Sequence, residues 1–295
     1  MSDTLESLRR KINGAADLES VVRTMKVLAA SNIHQYEKAV AALGDYYHTV
    51  ELGLIACFRQ VWEPTVAERE KQTQSATIGA VVFGSDQGLV GQFNDVLTDY
   101  VVSTLHAMPV NKKVWAVGER VYSRLEDSGL PMAGLFSVPN SVNSITPLVG
   151  QILIEAEAQK EKGKTIQLYI FHNRPKSGAI YEPVSQRLLP LDEKWRSGVT
   201  GQRWPTTNIP ETIHGVEQAL RGLIANYLFV SLFRACAESL ASENASRLAA
   251  MQRAEKNIDE LLEDLNRVFH RLRQSSIDEE LFDVISGSEA LAQKR

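Results

Sequence analysis

Cysteine is scarce: the 295 residues hold only two, Cys57 and Cys236. They lie far apart in sequence, which fits a reducing compartment and gives no disulfide framework. No apolar run approaches the roughly 20 residues that a membrane span needs. The first residues, MSDTLESLRRKING, are polar and lack the apolar centre of a signal peptide. There is no excess of positive charge. The net charge is −4 and the pI about 5.9, which excludes a general nucleic-acid binder. The sequon Asn244-Ala245-Ser246 lies inside a helical pattern with no export signal, so glycosylation is not expected there. A hydrophobic share of 44% and a charged share of 23% are those of a globular chain.

Proline and glycine are missing from two long stretches, and those stretches read as helices. In the first, from about Thr4 to Val61, alternate steps of three and four run Leu5, Leu8, Ile12, Ala15, Glu19, Val22, Lys26, Ala29, Ile33 and on to Val61. Fifteen of these seventeen positions are apolar, which is a coiled-coil seam. Glu19 and Lys26 are the misfits. Leu18, Val21, Met25 and Leu28 flank them, so the apolar stripe is expected to move one residue aside there. The last block, Glu211 to about Ser286, has no Pro. Its stripe reads Met251, Ala254, Ile258, Leu261, Leu265, Val268 and Leu272. Within it, ESLASENASRLAAMQRAEKN (238–257) is dominated by small and charged residues.

Between the two lies a different rhythm. Apolar, β-branched runs at 77–84, 113–118, 133–139 and 165–173 alternate with helical stretches near 93–107, 119–128 and 144–161. A further edge-like strand spans 179–190. Such alternation implies a mostly parallel sheet covered by helices. Residues 191–210 read as an irregular connector. The expected fold class is therefore α/β: a long antiparallel two-helix coiled coil from the two ends of the chain, carrying an inserted Rossmann-like domain. The expected divisions are 1–62, 63–210 and 211–295, the first and last forming one shaft.

If the inner ends of the helices, near Trp62 and Pro210, meet, the register follows. Met25 falls opposite Arg247, and VLAAS (27–31) opposite ASENA (241–245). Small residues facing small ones allow close backbone approach and a slim rod. Residues 269–287 then extend past the first helix as a single tip. Leu272, Ile277, Leu281, Phe282, Val284 and Ile285 have no partner there, and an exposed apolar end implies a partner protein.

Little here points to chemistry. The loop FGSDQGLVGQFN (83–94) joins a strand to a helix, but it has no G-x-G-x-x-G and no phosphate-binding Lys, so it reads first as a capped turn. AQKEKGKT (158–165) imitates a P-loop but precedes a strand instead of following one. His34, His48, His106, His172, His214 and His270 are scattered, with no pair at metal-ligand spacing beside a carboxylate. Cys57 and Cys236 read as small buried hydrophobes. No catalytic, cofactor or metal residue is assigned. The residues alone describe a mechanical or binding part.

RTMKVLAAS (23–31), GSDQGLVGQFN (84–94), ESLASENASRLAAMQRAEKN (238–257) and RLRQSSIDEELFDVISGSEAL (271–291) resemble, in order, motifs of the γ subunit of F-type ATP synthases. The resemblance spans essentially the whole chain. It implies a central-stalk rotor subunit, itself non-catalytic, whose shaft turns inside a ring of three α and three β subunits. It implies attachment through the ε subunit to a membrane ring of c subunits, on the cytoplasmic face of a bacterial inner membrane, and so only indirect contact with lipid. It carries over ring contacts at Met25, Lys26, Arg247, Arg273, Gln274 and Asp278, with Ile277, Leu281 and Ile285 at the rotor tip. A slim, small-residue surface would then suit a shaft that must not interlock with its housing. Gln87 replaces the usual Arg, Val90 the usual Cys and Asp278 the usual Thr. These departures point to a divergent branch such as the alternate, sodium-translocating bacterial ATPases. Two rivals stand beside this reading. One is an α/β enzyme with dimerising helical arms; the other is a coiled-coil scaffold carrying an α/β binding domain.

Overall fold

The computed structural model describes residues 4–59, 77–161, 166–176, 181–191, 204, 206–208, 211–212 and 215–292. The expected helix ends at Trp62, Pro64 and Pro210, most of the connector and the close of the P-loop-like segment lie outside these residues. The elements are α1 (Leu5–Phe58), β1 (Thr77–Phe83), α2 (Phe93–His106), β2 (Lys112–Val117), α3 (Glu119–Asp127), β3 (Met132–Phe136), a 3-10 turn (Val142–Ser144), α4 (Ile145–Glu161), β4 (Ile166–Pro175), β5 (Tyr181–Leu189) and α5 (Val216–Ala292). The chain divides into two compact units: Met1–Leu28 with Leu248–Arg295, and Ala29–Arg247.

The 29–247 unit is built on one five-stranded sheet of order β3-β2-β1-β4-β5. The first four strands are parallel, and β5 runs antiparallel along the edge. Every residue of β1 is buried, because helices cover both faces of the sheet. Ile78, Ala80 and Val82 point to one face and pack with Leu97, Val101 and Leu105 of α2 and Val121 and Leu125 of α3. Val81 and Phe83 point to the other face. They join Ile145, Val149 and Ile152 of α4 and side chains from α1 and α5, including Leu54, Tyr227 and Leu240.

Gly118, between β2 and α3, is required by this architecture. Its φ is +117, and a Cβ there would sit 2.7 Å from the backbone carbonyl of Ser85. Gly118→Ala is expected to destabilise the full chain by about 2 kcal/mol or more, from left-handed strain plus the clash. An unchanged urea midpoint would refute this.

The other unit pairs the start of α1 with the end of α5. Leu8, Ala15 and Met251 are buried. Here two sequence expectations are corrected. The α1 stripe does not step aside: Leu18, Val21 and Leu28 are exposed, while Glu19 and Lys26 stay half-buried in the seam. Ion pairs make that tolerable. Lys26 Nζ donates to Glu255 at 2.5 Å, and Arg23 bridges Glu19 and Glu255. Paired charges in a seam fix register at less cost than a break in helical phase. On α5 the inward stripe is Met251, Glu255, Ile258, Leu262, Leu265, Phe269, Leu272 and Ser276, so Leu261 and Val268 face water.

The register is corrected as well. Lys26 meets Glu255, some two turns beyond the position expected opposite it. In the 29–247 unit Asn32 meets Asn244, one turn beyond. The exposed end of α5 accordingly starts later: Phe269 and Leu272 are half-buried, and residues 277–286 are all exposed. One 18-residue window of α5 does reach a mean hydropathy of 1.3, contrary to the expected lack of any membrane-length apolar run. It is 61% buried, as a core helix is.

Candidate functional site

β1 stands between β2 and β4, so the chain reverses its direction of winding there. In open α/β sheets the carboxyl ends of the strands at such a switch point form the ligand crevice. Here a helix of the same chain fills it. Ser239 Oγ donates to the carbonyl of Phe83 at the end of β1 (2.9 Å), and Ser242 Oγ to that of Asn173 in β4 (2.9 Å). Ser246 Oγ donates to Val90 O (2.6 Å), in the loop after β1. These serines share one helix face. Asn173 extends the set, giving its side-chain N–H to Phe93 O (2.9 Å).

This explains the slim stretch, and it differs from the expectation. Residues 235–244 are all buried. A hydroxyl reaches a carbonyl only when the helix backbone lies close to the strand ends, and Ala or Ser permits that approach where a larger side chain forbids it. The small residues are a docking surface for the sheet; they are not the smooth exterior of a shaft. The bonds also set the axial position of α5, which explains why the register does not follow from the helix ends.

The glycine-rich loop is satisfied internally. Asn94 Oδ1 accepts from Ser85 N–H (3.1 Å), and Asn94 Nδ2 donates to Ser85 Oγ (2.8 Å). Asp86 accepts from Glu119 N–H, at the start of α3, and from Val138 N–H. A carboxylate in the loop and a helix across its mouth leave a phosphate no seat, as the capped-turn reading expects.

A charged cluster ties α5 to β4. His172 Nε2 lies 2.8 Å from Glu238, and both side chains are almost wholly buried. Arg234 Nε donates to Glu238 Oε1 (2.7 Å), and Arg174 Nε approaches Oε2 (3.4 Å). Burial alone would raise the Glu238 carboxyl; hydrogen bonds from His172 and Arg234 outweigh it and hold the pKa near 2. Burial pushes His172 below its ordinary 6.5, helped by Arg174 and Arg234 and opposed by Glu238. His172 is therefore neutral at pH 7 and donates from Nε2. Glu243, one turn on, is buried beside Arg247, and burial raises its pKa. Tyr36 of α1 is pushed up to about 12 by burial, with Cys236 and Glu243 nearby.

The signs give a prediction. The unfolded chain protonates His172 near its ordinary 6.5 while the folded chain resists, so stability falls as pH drops below about 6.5. A second loss follows between 4.5 and about 2, as Glu238 protonates. Glu243 works the other way: its raised pKa makes protonation favour the folded state as pH falls toward 4.5. Apart from Glu238, Arg174 and Arg234, the other ionisable side chain lining the cavity beside the His172 ring is Tyr47 of α1. Chemical denaturation of wild type and His172→Phe at pH 7 and 5.5 should show the larger loss in wild type. Equal losses would refute the assignment.

The resemblance-derived contacts are spread along the helices. Met25 and Lys26 are half-buried on α1. Arg247 is no solvated charge: its side chain is 13% exposed and donates to Glu243 at 2.6 Å. Arg273, Gln274, Ile277, Asp278, Leu281 and Ile285 are exposed on α5. Cys57 and Cys236 are free and buried, and among the described residues no cluster of three or more His, Cys, Asp or Glu could hold a metal. The sequence reading missed the serine stripe and the His172–Glu238 cluster. Hydroxyls at 239, 242 and 246 on a helix, and a histidine inside the apolar strand YIFHN, were their signals.

Residues 4–291 match the family model described as ATP synthase. The chain is 25% identical to the "ATP synthase gamma chain" of Dechloromonas aromatica over 97% of its own length and 99% of the relative's. It is 27% identical to that of Frankia casuarinae, covering 99% of each. Among solved structures it is similar in fold to a chain of the Euglena gracilis mitochondrial ATP synthase OSCP/F1/c-ring assembly (TM-score 0.65, 16% identity, 99% of this chain and 96% of that one). It is also similar to a chain of the Tetrahymena thermophila central stalk and c-ring (TM-score 0.56, 19% identity, 79% and 99%).

Proposed function

The chain belongs to the ATP synthase family, and on that premise we propose that it is the γ subunit, the rotor of the central stalk, working in a membrane-associated complex. The observation that carries this is α5. Val216–Ala292 is one unbroken helix, fastened to the sheet by Ser239, Ser242, Ser246 and Glu238 and ending in an exposed apolar stretch. A helix bonded in this way to a folded body can carry torque, because slippage would break several buried bonds together. The crevice that an enzyme of this topology would use for a ligand is occupied by that helix. The subunit supplies no reaction of its own in this reading; hydrolysis and synthesis belong to β.

In the proposed assembly the shaft comprises 1–62 and 211–295, with the α/β domain at 63–210. It turns within three α and three β subunits and meets the c-ring with the ε subunit, on the cytoplasmic face of a bacterial inner membrane. Met25, Lys26, Arg247, Arg273, Gln274 and Asp278 meet the ring, and Ile277, Leu281 and Ile285 seat the tip. Coupling is then a difference in contact energy between β conformations. Membership of the sodium-type branch is part of the proposal, and a c subunit without sodium ligands would remove it.

The test is co-expression with α and β subunits. One copy of this chain should join a defined complex with ATPase activity. Stopping the chain after Ser276 removes only residues exposed at the end of α5. That truncation should leave assembly intact and weaken rotational coupling by about tenfold, the scale of a typical allosteric coupling energy. A chain that elutes alone as its own dimer, and never joins α and β, would overturn the rotor reading in favour of the scaffold.

A further inference from the structure

A cavity of about 30 Å³ lies between β4 and α5. Two buried polar atoms of residues that line it have no hydrogen-bond partner: His172 Nδ1 and Ser231 Oγ. The chemistry of the first is fixed by its ring. Nε2 faces an ionised Glu238 and so carries the hydrogen, which leaves Nδ1 with a lone pair and nothing to receive. Ser231 adds a hydroxyl that can both donate and accept. Buried polar groups are nearly always satisfied, by protein or by ordered water. A water needs about 10–15 Å³ and two or more polar partners, and this cavity offers both.

We propose that the cavity is an internal hydration site. One or two ordered waters donate to His172 Nδ1, exchange hydrogen bonds with Ser231 Oγ, and complete a polar latch between β4 and α5. The lining selects water over other small ligands. A lone pair at Nδ1 repels an anion, the guanidinium groups of Arg174 and Arg234 repel a cation, and the volume excludes larger solutes. Arg174, Arg234 and Glu238 also line a wider neighbouring groove of about 350 Å³, which gives the water a path of exchange with solvent. The site is independent of the rotor reading and would stand or fall without it.

The direct test is NMR on the full chain with labelled histidine. The His172 ring should show the Nε2–H tautomer and cross-relaxation with a bound water. A ring with no water contact overturns the proposal. The second test is Ser231→Val, which fills the cavity with methyl groups. It should lower the folding equilibrium constant by about tenfold, because Nδ1 is then buried unpaired. The loss should vanish in a His172→Phe background, which has no lone pair to satisfy. If Ser231→Val instead stabilises the protein, the cavity is dry and the proposal fails. Stability that tracks chloride concentration would reassign it as an anion site, and would equally overturn the proposal.

Discussion

Ser242→Leu is expected to destabilise the 29–247 unit by at least about 3 kcal/mol, the largest effect of any single change on the serine face. Three costs combine. The Asn173 carbonyl loses its donor, and an unsatisfied buried acceptor costs about 1–3 kcal/mol. The Leu side chain must enter a space that is 1% exposed and already filled, and overpacking costs about 1–3 kcal/mol. Relief by lifting α5 would stretch the neighbouring Ser239 and Ser246 bonds as well. Ser242→Ala removes only the first of these and should cost about 1–2 kcal/mol. Ser275, on the exposed part of the same helix, is the control, and Ser275→Leu should be close to neutral. Denaturant unfolding of the full chains measures all three. Equal stability of Ser242→Leu and Ser275→Leu would mean that α5 does not lie tightly on the strand ends. In an assembled complex, Ser242→Leu should also weaken coupling, since the helix that carries torque would be loosened where it is fastened.

Glu238→Ala should cost about 3 kcal/mol. Its carboxylate is the common acceptor for His172, Arg234 and Arg174. Removing it strands the His172 N–H in the interior and leaves two guanidinium groups facing each other. Breaking a buried ionic network from one side typically costs about 3–5 kcal/mol. The lower end applies because both Arg side chains are 46% exposed and keep part of their hydration. His172→Phe should soften the loss in a double-mutant cycle, because it removes the stranded donor. A Glu238→Ala variant within about 0.5 kcal/mol of wild type, the usual range for a surface change, would show that the cluster holds nothing. Glu238 also sits one position before Ser239, so β4 and the end of β1 are both held from one turn of α5.

The elements of the fold were legible because their signals are local. The β-branched run at 77–84, the alternation that followed and the 3–4 spacing along both long helices each depend on a few neighbouring residues. The edge strand could be read at 179–190 for the same reason. The seam was harder. Glu19 and Lys26 broke the apolar rule, and nothing within α1 says that Glu255, far along the chain, supplies the matching charge. On α5, Leu261 and Leu262 are equally apolar neighbours, as are Val268 and Phe269. Which of each pair turns inward depends on the partner helix, and composition does not specify it. The register assumed that the helix ends meet. It is set instead by hydroxyl–carbonyl bonds to the sheet.

By itself the sequence determined the element types, the α/β sheet between two long helices, the lack of any recognisable catalytic set and the resemblance to the γ family. Periodicity, turn chemistry and motif order encode these directly. Only the tertiary structure decided that the small-residue stretch of α5 is a buried dock, that His172 and Glu238 meet, that Arg247 is held by Glu243, and where the exposed end of α5 begins. Each of those depends on residues far apart in the chain being brought within a few ångströms. A stripe of Ala and Ser permits close approach to any surface, and the carbonyls at the ends of β1 and β4 select which one.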